Sequence, residues 1–158
     1  MTDTPFDPIR RSVTVPLDPR AAFDLFTDGI DRWWPKETHS LTARNADGKG
    51  ARVRVEPFEG GRVLETLPDG TEAPWADVAQ HRPAERLTLR WYVGRHPGEA
   101  TLVDIRFTAV DGGTRIDLTH SGFDVLGMDA APVSSSYAAG WEHVLGVRFA
   151  GACRRIPA

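Results

Sequence analysis

The sequence predicts an α+β fold: one curved antiparallel sheet with one face covered by a long terminal helix. Three observations carry this reading. Apolar residues alternate with a period of two from about residue 50 to residue 123. A well-punctuated helix occupies residues 18–29, and the stretch from Pro132 to Arg155 has helical spacing with no further proline.

In chain order, "RSVTV" (11–15) alternates as a strand with Val13 and Val15 on one face. In "LDPRAAFDLFTDGI", Asp18 suits an N-cap, Pro19 the first helical position and Gly29 a left-handed stop. Phe23, Phe26 and Ile30 form its apolar stripe, and "DRWW" adds about one turn before Pro35 ends it. Trp33 and Trp34 then point in different directions. One is expected to seal the core under the first helix. The other, with the aperiodic segment 35–49, is expected to form a mobile lip over a cavity mouth.

From residue 50, "ARVRVEPF" sets Ala51, Val53 and Val55 against Arg52, Arg54 and Glu56. "EGGRVLET" follows a glycine turn, and "APWADVAQH" is a strand with Pro74 at its start or on an edge. "RLTLRWYV" groups Leu87, Leu89, Trp91 and Val93. "TLVDIRFTAV" groups Val103, Ile105 and Phe107, and "RIDLTHSGF" groups Ile116, Leu118 and His120. That makes seven strands, six of them in one run, and the isolated first strand is expected to pair with the last. Tyr137, Trp141, Val144, Leu145 and Arg148 mark the final helix.

The 158 residues favour one domain spanning 1–158, with its core at about 10–155. Net charge is −3, and no Lys/Arg run is visible, so neither nucleic acid nor an anionic membrane is expected as partner. Cys153 is the only cysteine, which excludes an intrachain disulfide. The N-terminus lacks the features of a signal peptide and no apolar run reaches membrane-helix length, so a cytoplasmic protein is expected. Only two of the 19 basic residues are Lys, a usage fitting a GC-rich bacterial genome.

Four stretches in order, "FEGGRVLE" (58–65), "RLTLRW" (86–91), "GGTRIDLTHSGF" (112–123) and "GW" (140–141), resemble the START-like (SRPBCC) superfamily. Within it they are similar to the branch named after the activator of the heat-shock-protein-90 ATPase. The resemblance covers about residues 10–155. It implies a helix-grip: a seven-stranded antiparallel sheet around a long C-terminal helix, with two short helices after strand 1 and a cavity between sheet and helix. It also implies binding of a hydrophobic or amphipathic small molecule there. A cyclase-like enzyme, a co-chaperone-like protein-binding module and a homodimer are the alternatives.

Two inward polar residues draw attention. Glu65 follows Val63 on an apolar face, where a carboxylate is costly unless paired or wet. His120 continues the row of Ile116 and Leu118, as a polar anchor, a proton carrier or a satisfied core histidine. Trp34, Trp75, Trp91, Phe123, Tyr137 and Trp141 supply aromatic wall, and Asp77 shares a face with Trp75 by alternation. These nine residues are the candidate cavity wall. No catalytic motif is specific enough to name a reaction. "SSS" (134–136) lacks the G-x-S-x-G context and reads as a cap, and the histidines show no metal spacing. The glycine turns lack a phosphate cradle's strand–loop–helix context, so neither a metal nor a cofactor is expected.

Overall fold

The computed structural model describes residues 8–36, 38–41 and 52–155. Its strands are β1 (Ile9–Val15), β2 (Arg52–Val55), β3 (Arg62–Thr66), β4 (Glu72–Arg82), β5 (Arg86–Trp91), β6 (Thr101–Val110) and β7 (Gly113–Ser121). They form a single antiparallel sheet in the order β1-β7-β6-β5-β4-β3-β2. Six strands are thus paired as sequential neighbours, and β1 closes the far edge by pairing with β7, Val13 opposite Ile116. The sheet curls around a long C-terminal helix, which is the helix-grip arrangement.

Two short helices follow β1: α1 (Pro19–Thr27) and α2 (Ile30–Trp33). Asp18 caps α1 by accepting from the Ala21 amide at 2.8 Å, and Pro19 occupies the first turn. Gly29 differs from expectation, because its φ of −91° is not left-handed. Close approach favours glycine there instead: a Cβ would sit tightly, 3.0 Å from the Leu25 carbonyl oxygen. Phe23, Phe26 and Ile30 are buried as the stripe predicts. Trp34 turns extended before Pro35 and ends α2.

The inward rows Leu87–Leu89–Trp91, Val103–Ile105–Phe107 and Ile116–Leu118–His120 are all buried. Strand β4 breaks the pattern. Val63 pairs with Ala76 but Leu64 with Pro74, so Trp75 is an extra residue in a bulge. A second shift leaves Ala79 unpaired against β5. Pro74 sits beyond the last β4–β5 pair, Ala76 with Trp91, where its missing N–H costs no ladder bond. Ala51 and most of the segment 35–49 (residues 37 and 42–49) lie outside the described residues.

A 3₁₀ stretch, Phe123–Asp129, leads into the helical segments Ala130–His143, Val144–Phe149 and Ala150–Arg155, which continue as one helix, α3. Ser134–Ser136 lie inside it rather than at its cap. Its middle segment is a π-turn, and the buried spacing explains why. Trp141, Leu145, Phe149 and Cys153 recur every four residues. At 100° per residue a regular helix would drift about 40° at each step. The wider π-turn absorbs that drift and keeps these side chains on the sheet. Trp33 and Phe26 pack on Phe149 at ring-centroid distances of 4.9 and 5.3 Å.

Candidate functional site

Beneath the sheet–helix junction lies an aromatic floor. Trp34, Trp75, Trp91 and Trp141 are each at most 5% exposed. Trp34 is central, with ring centroids 5.1 Å from Trp75 and 6.0 Å from both Trp91 and Trp141. The four indoles, all named as candidate wall, pack directly on one another. The neighbouring Trp33 packs on Trp34 at a ring-centroid distance of 5.6 Å and donates its indole N–H to the Leu25 carbonyl at 2.9 Å. Trp34 donates to the His39 carbonyl at 2.7 Å, tying the floor to the segment above it.

Glu65 is inward and fully buried, and its carboxylate is occupied. One oxygen accepts from the Leu41 amide at 2.8 Å and from the Trp75 indole at 3.0 Å. His120 is buried with both ring nitrogens in use. The Trp141 indole N–H can only donate, so Nδ1, 3.0 Å away, must be the acceptor. The proton then resides on Nε2 and is donated to Thr101 Oγ1 at 2.7 Å, and Thr101 donates in turn to the Trp91 carbonyl at 3.2 Å. Burial lowers the His120 pKa to about 3, so the ring is neutral. Phe123 lies against it at 4.5 Å. A histidine held this way is a core connector.

Asp77 requires a correction. The Trp75 bulge shifts the alternation by one residue, so Ala76 takes the inward place and Asp77 turns outward, opposite Arg62 and Arg90. It lies 3.7 Å from the Arg90 guanidinium and accepts from the Tyr92 hydroxyl at 2.8 Å. Burial, then Asp77, pushes the Tyr92 pKa up to about 12.

Open volume exists above the floor. A cavity of about 710 Å³ is bounded below by Trp34 and on one side by Thr38, His39, Ser40 and Leu41. Val93, Gly94, Arg95 and Glu99, between β5 and β6, form another wall, with Ser136 and Tyr137 of α3 opposite. Of the nine candidate wall residues only Trp34 and Tyr137 line it. Glu65, Trp75, Trp91, His120, Phe123 and Trp141 support it from beneath, and Asp77 lies outside. Of the new lining residues, Val93 continues the alternating row of β5, Ser136 lies on α3, Thr38–Leu41 belong to the segment expected over the cavity mouth, and Gly94, Arg95 and Glu99 come from a connection without periodicity. His39 approaches α3 at Gly140, where a Cβ would make ordinary van der Waals contact with the imidazole at 3.5 Å. His39 also stacks on His143 at 5.7 Å.

The wall carries mixed polarity. Arg95 reaches Glu99 and Asp129, each at 3.3 Å. Tyr137 Oη accepts from the Trp91 indole N–H at 2.9 Å. Among the described residues, no cluster of three or more His, Cys, Asp or Glu side chains is placed to hold a metal ion, and no helix is long and apolar enough to cross a membrane.

Comparison with known proteins places this geometry. No curated protein sequence matches the chain. Several solved structures do. MLL2253 from Mesorhizobium loti superposes with a TM-score of 0.69 at 15% identity, covering 96% of this chain and 100% of that one. The AHSA1-like protein RHE_CH02687 from Rhizobium etli gives 0.60 at 26% identity, with 93% and 81% coverage. Txn09, an anthrahydroquino-γ-pyrone synthase, gives 0.60 at 26% identity, with 94% and 99% coverage. The model of one family matches residues 16–152. The chain belongs to that family, the Activator of Hsp90 ATPase homolog 1-like proteins.

Proposed function

We propose that the chain binds a flat, amphipathic small molecule of fused-ring type in the cavity above Trp34. One observation carries the reading: an open volume of about 710 Å³ lies over the Trp34 indole, walled by both apolar and polar groups from three separate segments. Small-molecule sites are about 300–1,000 Å³, largely apolar, with few oriented polar groups. Trp34, held by its bond to the His39 carbonyl, offers a flat edge that loses little freedom on binding. The relative Txn09, named for a fused-ring oxygenated product, supports the same ligand class. An enzymatic version of this site would depend on Tyr137, His39, Arg95 or Glu99, because Glu65 and His120 do not line the cavity.

The test is calorimetric titration with a panel of neutral two- to four-ring aromatic oxygenates, on the wild type and on Ser136→Trp. Ser136 is exposed on the wall, so an indole there would fill the mouth without disturbing the core. Binding by the wild type that Ser136→Trp abolishes supports the proposal. Unchanged binding in the variant would place the ligand elsewhere. A bare wild type across the whole panel would favour the family's protein-binding role instead.

A further inference from the structure

Tyr137 combines two properties that the rest of the wall lacks. Its oxygen is already an acceptor, because the Trp91 indole N–H, 2.9 Å away, has no lone pair with which to accept. The phenolic proton must therefore be directed elsewhere, and among the described residues nothing accepts it. The ring is also fixed, packed on His120 at 4.7 Å and near Phe123 at 6.4 Å. Burial raises the pKa of Tyr137, so the group stays a protonated donor through the physiological range.

The surrounding charge narrows the choice of acceptor. Arg95 also lines the cavity, but Glu99 and Asp129 bracket it at 3.3 Å. One cation and two carboxylates leave this corner with a local charge of −1. A ligand carboxylate or sulfonate would meet that net negative charge and would have to displace existing ion pairs to reach the guanidinium.

We propose that Tyr137 is the specificity-determining residue of this site, donating its hydroxyl proton to a neutral carbonyl oxygen, of ketone or quinone type, on the fused-ring ligand. The inference rests on the ligand-site reading above and adds the functional group that the site selects. Trp91 acts through Tyr137 as a positioning residue: its N–H fixes which way the phenol can donate. His120 and Thr101 hold the Trp91 carbonyl and the Trp141 indole beneath it.

The experiment compares two probes of the same shape, 2-(hydroxymethyl)anthraquinone and 2-(hydroxymethyl)anthracene, by quenching of tryptophan emission. The first carries ring carbonyls and the second does not. The wild type is expected to prefer the quinone about five- to tenfold, the worth of one net hydrogen bond. Tyr137→Phe is expected to bring that ratio close to one. In infrared difference spectra of the wild-type complex, the quinone carbonyl stretch is expected to move to lower wavenumber, a readout that needs no variant to fold. Equal binding of both probes by the wild type, an unshifted carbonyl band, or a preference that survives in Tyr137→Phe would each overturn the assignment to Tyr137. Failure of both probes to bind the wild type would instead remove the ligand-site reading, and this inference with it.

Discussion

His120 makes a quantitative prediction about acid stability. In the folded chain its pKa falls from 6.5 to about 3 because burial disfavours the imidazolium. The group is lowered, so its contribution is fully present above pH 6.5 and is lost as pH falls from there toward 3. Within that window the unfolded chain binds the extra proton, and stability declines by about 1.4 kcal/mol per pH unit at the steepest. Between pH 7.5 and pH 5 the loss from this one site is about 2 kcal/mol. The assay is urea unfolding followed by tryptophan emission, run in parallel on wild type and His120→Gln, which has no proton to gain. The two share the chain's other titrations, so the difference between their pH profiles isolates His120. Wild type should lose about 2 kcal/mol more than the variant, equivalent to a drop of about 1 M in urea midpoint. Parallel profiles, within about 0.5 kcal/mol, would refute the argument that a neutral, doubly hydrogen-bonded His120 is built into the core.

Other substitutions test the same framework. Glu65→Ala strips the acceptor from two donors, the Leu41 amide and the Trp75 indole, and is expected to cost about 3 kcal/mol or more; Glu65→Gln keeps an acceptor and should cost less, which the same unfolding assay would rank. Gly113→Ala would place a Cβ 1.9 Å from the Val15 carbonyl oxygen, so the end of β1 would have to shift away from β7, whereas Gly98→Ala meets nothing within 4 Å; circular dichroism and melting temperature should show a marked loss for the first and little change for the second. Cys153 is buried, and burial pushes its thiol pKa up to about 12, so alkylating reagents should label it only after unfolding.

Much of the sheet was legible because alternation is a local property. The rows ending in Trp91, Phe107 and His120 follow from side chains pointing to opposite faces at every step. The pairing of β1 with β7 followed from the orphan first strand needing a partner, with the last strand of the run as the natural one. Asp77 was misplaced because a bulge at Trp75 inserts one residue and inverts the alternation until the second shift at Ala79 restores it. Nothing in "APWADVAQH" marks it. Gly29 was recognised as punctuation for the wrong reason, since close approach and a left-handed turn select the same residue.

The site was harder to read than the fold. Glu65 and His120 were visible as inward polar residues, but their partners, Leu41, Trp75, Thr101 and Trp141, are set by tertiary packing. Whether a row of aromatics encloses space or fills it depends on ring orientation, which spacing does not encode. Trp34 and Tyr137 were found because aromatic character itself was the signal. Arg95 and Glu99 were missed because they lie between β5 and β6, where no period exists, whereas His39 falls in the segment expected over the cavity mouth.

The most direct test of the central claim is a ¹H–¹⁵N spectrum of the five tryptophan indole N–H groups, recorded as 2-(hydroxymethyl)anthraquinone is added to saturation. Trp34 lines the cavity and Trp91 donates to the Tyr137 hydroxyl, so their two signals should move most. Trp33, whose indole N–H stays bonded to the Leu25 carbonyl, should move less than either. A saturating titration that leaves Trp34 and Trp91 unmoved, or that shifts Trp33 first, would contradict a ligand site above the indole floor.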